Sequence, residues 1–149
     1  MSEHRVTVSW RRQSPGFSYP EYNREHQWAF GSGCTVAASA APEFLGKGHD
    51  VDPEEAFVAA ISACHMLSFL AICARKRLVV DAYEDRAVGY LEENPAGRLA
   101  ITRVELRPRI SFAGAAPDRQ SLEALHHRSH EECFIANSVR TEIFVLNAD

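Results

Sequence analysis

The stretch from Asp52 to Arg75 constrains this chain more than any other, because it can hardly be anything but one long helix. Asp52 is suited to cap it, Pro53 sits where proline is favoured at the first helical position, and Glu55 follows Asp52 by three residues, as in a capping box. Ala56, Ala59, Ala60, Ala63, Leu67, Leu70, Ala71 and Ala74 then give the helix a broad apolar surface. Arg75, Lys76 and Arg77 place positive charge at its C-terminal end, where the helix dipole favours it. A helix this apolar needs a cover, and the expectation is a central helix buried against a sheet.

The flanking sequence alternates as strands do. Residues 5–11 read as an opening strand, 16–23 as turn-rich, and 26–36 as one short strand bent at its glycines. Residues 42–52 read as a loop into the helix. Residues 78–91 and 99–112 form an antiparallel hairpin around Asn94, Pro95, Ala96 and Gly97. A second helix is expected from Ser121 to about Phe134 and a last strand over 140–146. Two helices among antiparallel strands make an α+β fold, and 149 residues suit a single domain, 1–149.

Sixteen basic against twenty acidic residues, a net charge of -4, argue against a broad nucleic-acid surface. The first residues carry no apolar signal segment, and Ser62, His65 and Ser68 interrupt the longest apolar run, so neither a membrane span nor contact with a membrane is expected. Without an export signal, the four cysteines are expected to be thiols of a cytoplasmic protein rather than structural disulfides.

Two of those cysteines stand in settings that suggest chemistry. Cys64 lies within the apolar helix, and Cys133 closes the second helical run beside His130, Glu131 and Glu132. Cysteine is often a buried small hydrophobe, which suits Cys34 and Cys73. Cys73 points to about the opposite side of the helix from Cys64, so those two cannot bridge. A reactive thiol needs positive charge nearby, and Arg24 is the favoured source, against the alternative of a solvated surface cation. Glu54 is too far along a straight helix to act as a direct base on Cys64, but it could hold an arginine. His126, His127 and His130 are crowded enough for a zinc reading, although no established ligand motif frames them. Trp10, Trp28, Tyr19 and Tyr22 fit either a ligand pocket or ordinary packing. Gly31-Ser-Gly33 falls short of a phosphate loop, and Glu92-Glu93 reads as solvated charge.

The segments Asp52-Pro-Glu-Glu-Ala-Phe57, Ser62-Ala-Cys-His-Met66 and His130-Glu-Glu-Cys-Phe-Ile-Ala-Asn-Ser138 resemble the OsmC/Ohr family of organic hydroperoxide reductases. The resemblance implies Cys64 as the peroxidatic thiol, Cys133 as the resolving thiol, and Glu54 as the carboxylate positioning an active-site arginine. Arg24 matches that arginine best, with Arg11 and Arg12 as alternatives. It further implies an intertwined homodimer, organic hydroperoxide as substrate, and reset by an external dithiol, often a lipoylated protein. No haem, flavin or metal cofactor is implied. His65, the histidine-rich 125–130 segment and the surroundings of Arg24 depart from better characterised branches. They bear on substrate and reductant more than on the thiol pair, and the alternative reading is a noncatalytic redox-sensitive, zinc-binding or small-ligand-binding protein on the same fold.

Overall fold

The computed structural model describes residues 1–146, in two compact units, Met1–Ala56 and Phe57–Asp149. In the first, β1 (Val6–Ser9), β2 (His26–Phe30) and β3 (Thr35–Ala38) form an antiparallel sheet in the order β1-β2-β3. The single bent strand expected over 26–36 is two strands of a hairpin. Gly33 adopts φ 89°, a left-handed conformation cheap only for glycine, and its N–H donates to the Phe30 carbonyl at 2.9 Å. Trp28 consequently faces Val36 across the ladder. A 3₁₀ turn, Pro42–Phe44, interrupts the loop that follows.

The helix α1 (Pro53–Arg75) starts in the last residues of this unit, with the cap its sequence specifies. Glu55 N–H donates to Asp52 Oδ1 at 2.7 Å, and Asp52 N–H donates to Glu55 Oε2 at 3.4 Å. Arg77, just beyond its end, reverses the chain at φ 59°.

In the second unit α1 spans two sheets. Ile61 packs with Val104 and Leu106 against the sheet β5-β6-β8, made of β5 (Val88–Glu93), β6 (Leu99–Leu106) and β8 (Glu142–Val145). One helical stage later, Phe69, Ile72 and Cys73 pack with Leu125 and are flanked by residues of β4 (Val80–Asp85) and β7 (Pro108–Phe112). Gly89 lets β5 approach closely, since a Cβ there would lie 2.4 Å from Val58 Cγ2.

The long hairpin expected over 78–112 is present but broken into two sheets. Its tip pairs β5 with β6 around Asn94, whose Oδ1 accepts the N–H groups of Ala96 and Arg98. Its base pairs β4 with β7. At the break, Asp85 Oδ1 accepts the Arg107 N–H at 2.6 Å in place of a ladder bond, and its other oxygen accepts the Ser62 hydroxyl from α1. The α+β class holds, with one strand pairing that the sequence did not reveal: β8 runs parallel to β6. A parallel neighbour needs a long crossover, and α2 (Arg119–Glu132) lies within that connection. This helix starts two residues before the expected Ser121, because Asp118 caps it by accepting the Ser121 N–H at 2.8 Å.

One expectation needs correcting. By length and composition α1 is able to cross a bilayer, a property it shares with core helices of soluble proteins. Ser62, His65 and Ser68 interrupt the apolar run but leave its mean hydropathy high, because alanine, leucine, isoleucine and phenylalanine dominate around them. The described residues cover only one of its faces. Ile61, His65, Phe69, Ile72 and Cys73 are buried, whereas Ala59, Ala60, Ala63, Leu67, Ala71 and Ala74 are exposed.

Candidate functional site

The candidate residues fall into two pairs, one in each unit. In the N-terminal unit, Arg24 and Glu54 line a cavity of about 530 Å³ whose walls include Trp10, Phe17, Tyr22 and Phe44. Local sequence builds this wall. Asn23 ties the segment after β1 to itself: its Oδ1 accepts the Gln13 N–H at 2.8 Å, its Nδ2 donates to the Arg11 carbonyl at 3.0 Å, and its own carbonyl accepts Trp10 Nε1 at 2.7 Å. Trp10, Phe17 and Tyr22 thereby meet with ring centroids 5.2 to 6.4 Å apart.

Arg24 is only 8% exposed. A buried guanidinium must be compensated, and here the compensation is local. Its Nη2 donates to the Tyr19 carbonyl at 2.6 Å and its Nη1 to the Tyr22 carbonyl. Its Cζ lies 3.7 Å from the Tyr22 ring centroid and 4.8 Å from that of Tyr19, an arrangement favourable for cation–π attraction. Two of five guanidinium N–H groups are used in this way, and the others can meet a ligand. Among the described residues Glu54 makes no hydrogen bond or ion pair with Arg24; it shares the cavity lining. Arg11 and Arg12 are exposed, with Arg12 bonded to the Pro15 carbonyl.

In the C-terminal unit, Cys64 on α1 and Cys133 at the C-cap of α2 come together, both as free thiols. The Cys133 thiol is 1% exposed, and Cys64 lies near enough to act on its proton affinity. Burial, and then the Cys64 contact, push its pKa up, while the Ala136 N–H, 3.4 Å from Cys133 Sγ, works the other way. Cys64 is half-buried. Cys34 is exposed and Cys73 buried, away from this pair, and burial raises the Cys73 pKa.

The histidines of the 126–130 segment turn to different partners. Among the described residues no group of three or more His, Cys, Asp or Glu side chains is arranged to hold a metal ion. His127 turns to Glu131 at 3.4 Å, and His126 turns inward to His65. Sequence reasoning missed that inward pair, as well as Phe17, Phe44 and Asn23 in the cavity wall. The aromatic density of residues 10–22 was a usable signal for Phe17; nothing local signals His65 with His126, which are 61 residues apart.

No curated protein matches the chain significantly. Among solved structures it is similar to an OsmC-like protein of unknown function from Vibrio cholerae, with 47% identity, TM-score 0.94, and coverage of 99% of this chain and 100% of that one. It also shares its fold with an organic hydroperoxide resistance protein from Legionella pneumophila (18% identity, TM-score 0.71, 99% and 96% coverage). The organic hydroperoxide resistance protein OhrB of Bacillus subtilis is similar in the same way (16% identity, TM-score 0.72, 99% and 98% coverage). A family model for OsmC-like proteins matches residues 46–146, which include α1, both of its sheets and the two thiols. The chain belongs to the OsmC-like protein family.

Proposed function

We propose that the protein is a thiol-dependent peroxidase that reduces organic hydroperoxides to alcohols. The observation carrying this reading is the meeting of two free thiols from different helices, Cys64 and Cys133. Resistance to organic hydroperoxides in proteins of the same fold supports it.

In this mechanism the Cys64 thiolate attacks a peroxide oxygen. The O–O bond breaks, the alcohol leaves with a proton, and Cys64 becomes a sulfenic acid. Arg24 is assigned the positive charge that favours the thiolate and the developing oxyanion, and Glu54, which lines the same cavity, is the carboxylate available to orient it. Cys133 then condenses with the sulfenic acid to give a disulfide and water. An external dithiol, such as that of a lipoylated protein, reduces the disulfide by exchange. Organic rather than inorganic peroxide suits the aromatic cavity beside Arg24. The working form is a homodimer in which a second copy covers the exposed Ala59, Ala63, Leu67 and Ala71 face of α1.

Intact mass and thiol counting, after one equivalent of an organic hydroperoxide, test the chemistry. The expected result is loss of about two mass units and two thiols, absent in C64S and in C133S. No oxidation of a folded protein would instead favour a small-ligand-binding reading, which the same cavity supports. Sedimentation tests the dimer: Leu67→Glu is expected to shift it to monomer, and a wild-type monomer would refute it.

A further inference from the structure

Two histidines that this chemistry does not use lie buried beside the thiol junction. His65 follows Cys64 on α1; His126 lies on α2 about two turns before Cys133, on the same face of that helix. They are 1% and 6% exposed. His65 Nε2 stands 3.0 Å from His126 Nδ1, with the rings 13° from parallel, and His126 also stacks on Phe69.

Two imidazole nitrogens at that distance need one proton between them. Burial holds both rings down to about 4, so both are neutral near pH 7. His65 Nδ1 has no partner among the described residues. An orphaned N–H there would carry a full desolvation penalty. Hydrogen-bond satisfaction therefore assigns the proton to His65 Nε2, which donates to His126 Nδ1.

This bond has a structural consequence. Phe69, Ile72 and Cys73 meet Leu125 through apolar packing, which is non-directional. Arg75 to Glu132 also joins α1 and α2, but at the exposed surface. The histidine bond is a buried directional contact between the two thiol-bearing helices.

We propose that His65 and His126 are positioning residues for the resolving step, fixing the register in which Cys133 closes onto oxidised Cys64. The inference rests on the peroxidase reading above. In that step the Cys133 sulfur attacks the sulfenic sulfur of Cys64. The S–O bond breaks as the S–S bond forms, and the hydroxyl leaves with the thiol proton as water. The sulfenic acid is the oxidant, and no other is needed. Disulfide geometry demands Cα atoms within about 7 Å, and a displacement of about 1 Å at a reacting centre is able to slow a step about a hundredfold.

The test treats full-length wild type, H126L and H126N with one equivalent of cumene hydroperoxide. Rapid quenching with a sulfenic-acid trap, read by mass spectrometry, gives the rates of sulfenic-acid formation and disulfide closure separately. In H126L, sulfenic acid is expected to form at the wild-type rate, with closure slowed at least about tenfold and the trapped adduct accumulating. In H126N the amide oxygen stands where Nδ1 stood and accepts the same bond, so closure returns close to wild type. Equal closure rates in H126L and wild type overturn the positioning role and leave the peroxidase reading intact. A wild type giving neither adduct nor disulfide overturns both. Should H126L fail to fold, H126N against H126Q decides: the glutamine oxygen lies one methylene too far, so slower closure in H126Q supports the role and equal rates refute it.

Discussion

Arg24 and the His65–His126 pair are both buried nitrogen bases, and the chain accommodates them in opposite ways. A guanidinium keeps its charge inside a protein, so Arg24 is surrounded by what a cation needs: two backbone carbonyls and two aromatic faces. The histidines give up their protons instead. Burial lowers both, with His130 and His126 charge lowering His65 further while Asp85 partly restores His126, and a single neutral hydrogen bond then suffices. The chain thus surrounds the group the proposed chemistry uses with polar and aromatic partners, and leaves neutral the pair that docks the helices.

Breaking the charged side of this contrast should have the largest effect. Arg24→Ala orphans the Tyr19 and Tyr22 carbonyls and opens a void. It is expected to cost about 3 kcal/mol in urea unfolding and to lower hydroperoxide turnover by about 10²-fold. Arg24→Lys should recover little of the turnover, since an ammonium lacks the planar fork that reaches both carbonyls.

The neutral side breaks with acid. Both histidine pKa values fall from the ordinary 6.5 to about 4 on folding, so the unfolded chain binds protons that the native one refuses. Their contribution is complete above about pH 6.5 and is lost as pH falls through that window towards about 4, at up to about 1.4 kcal/mol per pH unit for each ring. Urea unfolding at pH 7 and pH 4.5 measures the slope, and H126L should flatten it. An equally steep slope in H126L would place the acid sensitivity elsewhere.

A third substitution calibrates both regions by touching neither. Asp52→Ala removes the acceptor for the Glu55 N–H, and is expected to cost about 1 kcal/mol in unfolding without altering closure of the disulfide. A change in closure rate would mean that the start of α1 also sets the thiol register.

What was legible beforehand was local. The cap on α1, the turn at Asn94 and the α+β class depend on residues within a few positions of one another. The placing of α2 was nearly right, missing only the Asp118 cap. The bent strand over 26–36 was misread because one residue, Gly33, decides whether the chain bends or reverses. The split of the long hairpin rests on Asp85, whose carboxylate serves Arg107 and Ser62 across more than twenty residues.

Sequence alone determined that α1 exists, where it starts, and that its apolar surface is broad, since capping and composition act along a single helix. Resemblance to a family singled out Cys64, Cys133, Arg24 and Glu54. Only the tertiary structure decided that Cys133 lies near Cys64 and that His126 meets His65. Those contacts depend on how two helices are placed, and placement follows from the summed packing of Phe69, Ile72, Leu125 and the sheets beneath them. No short window of residues contains that sum.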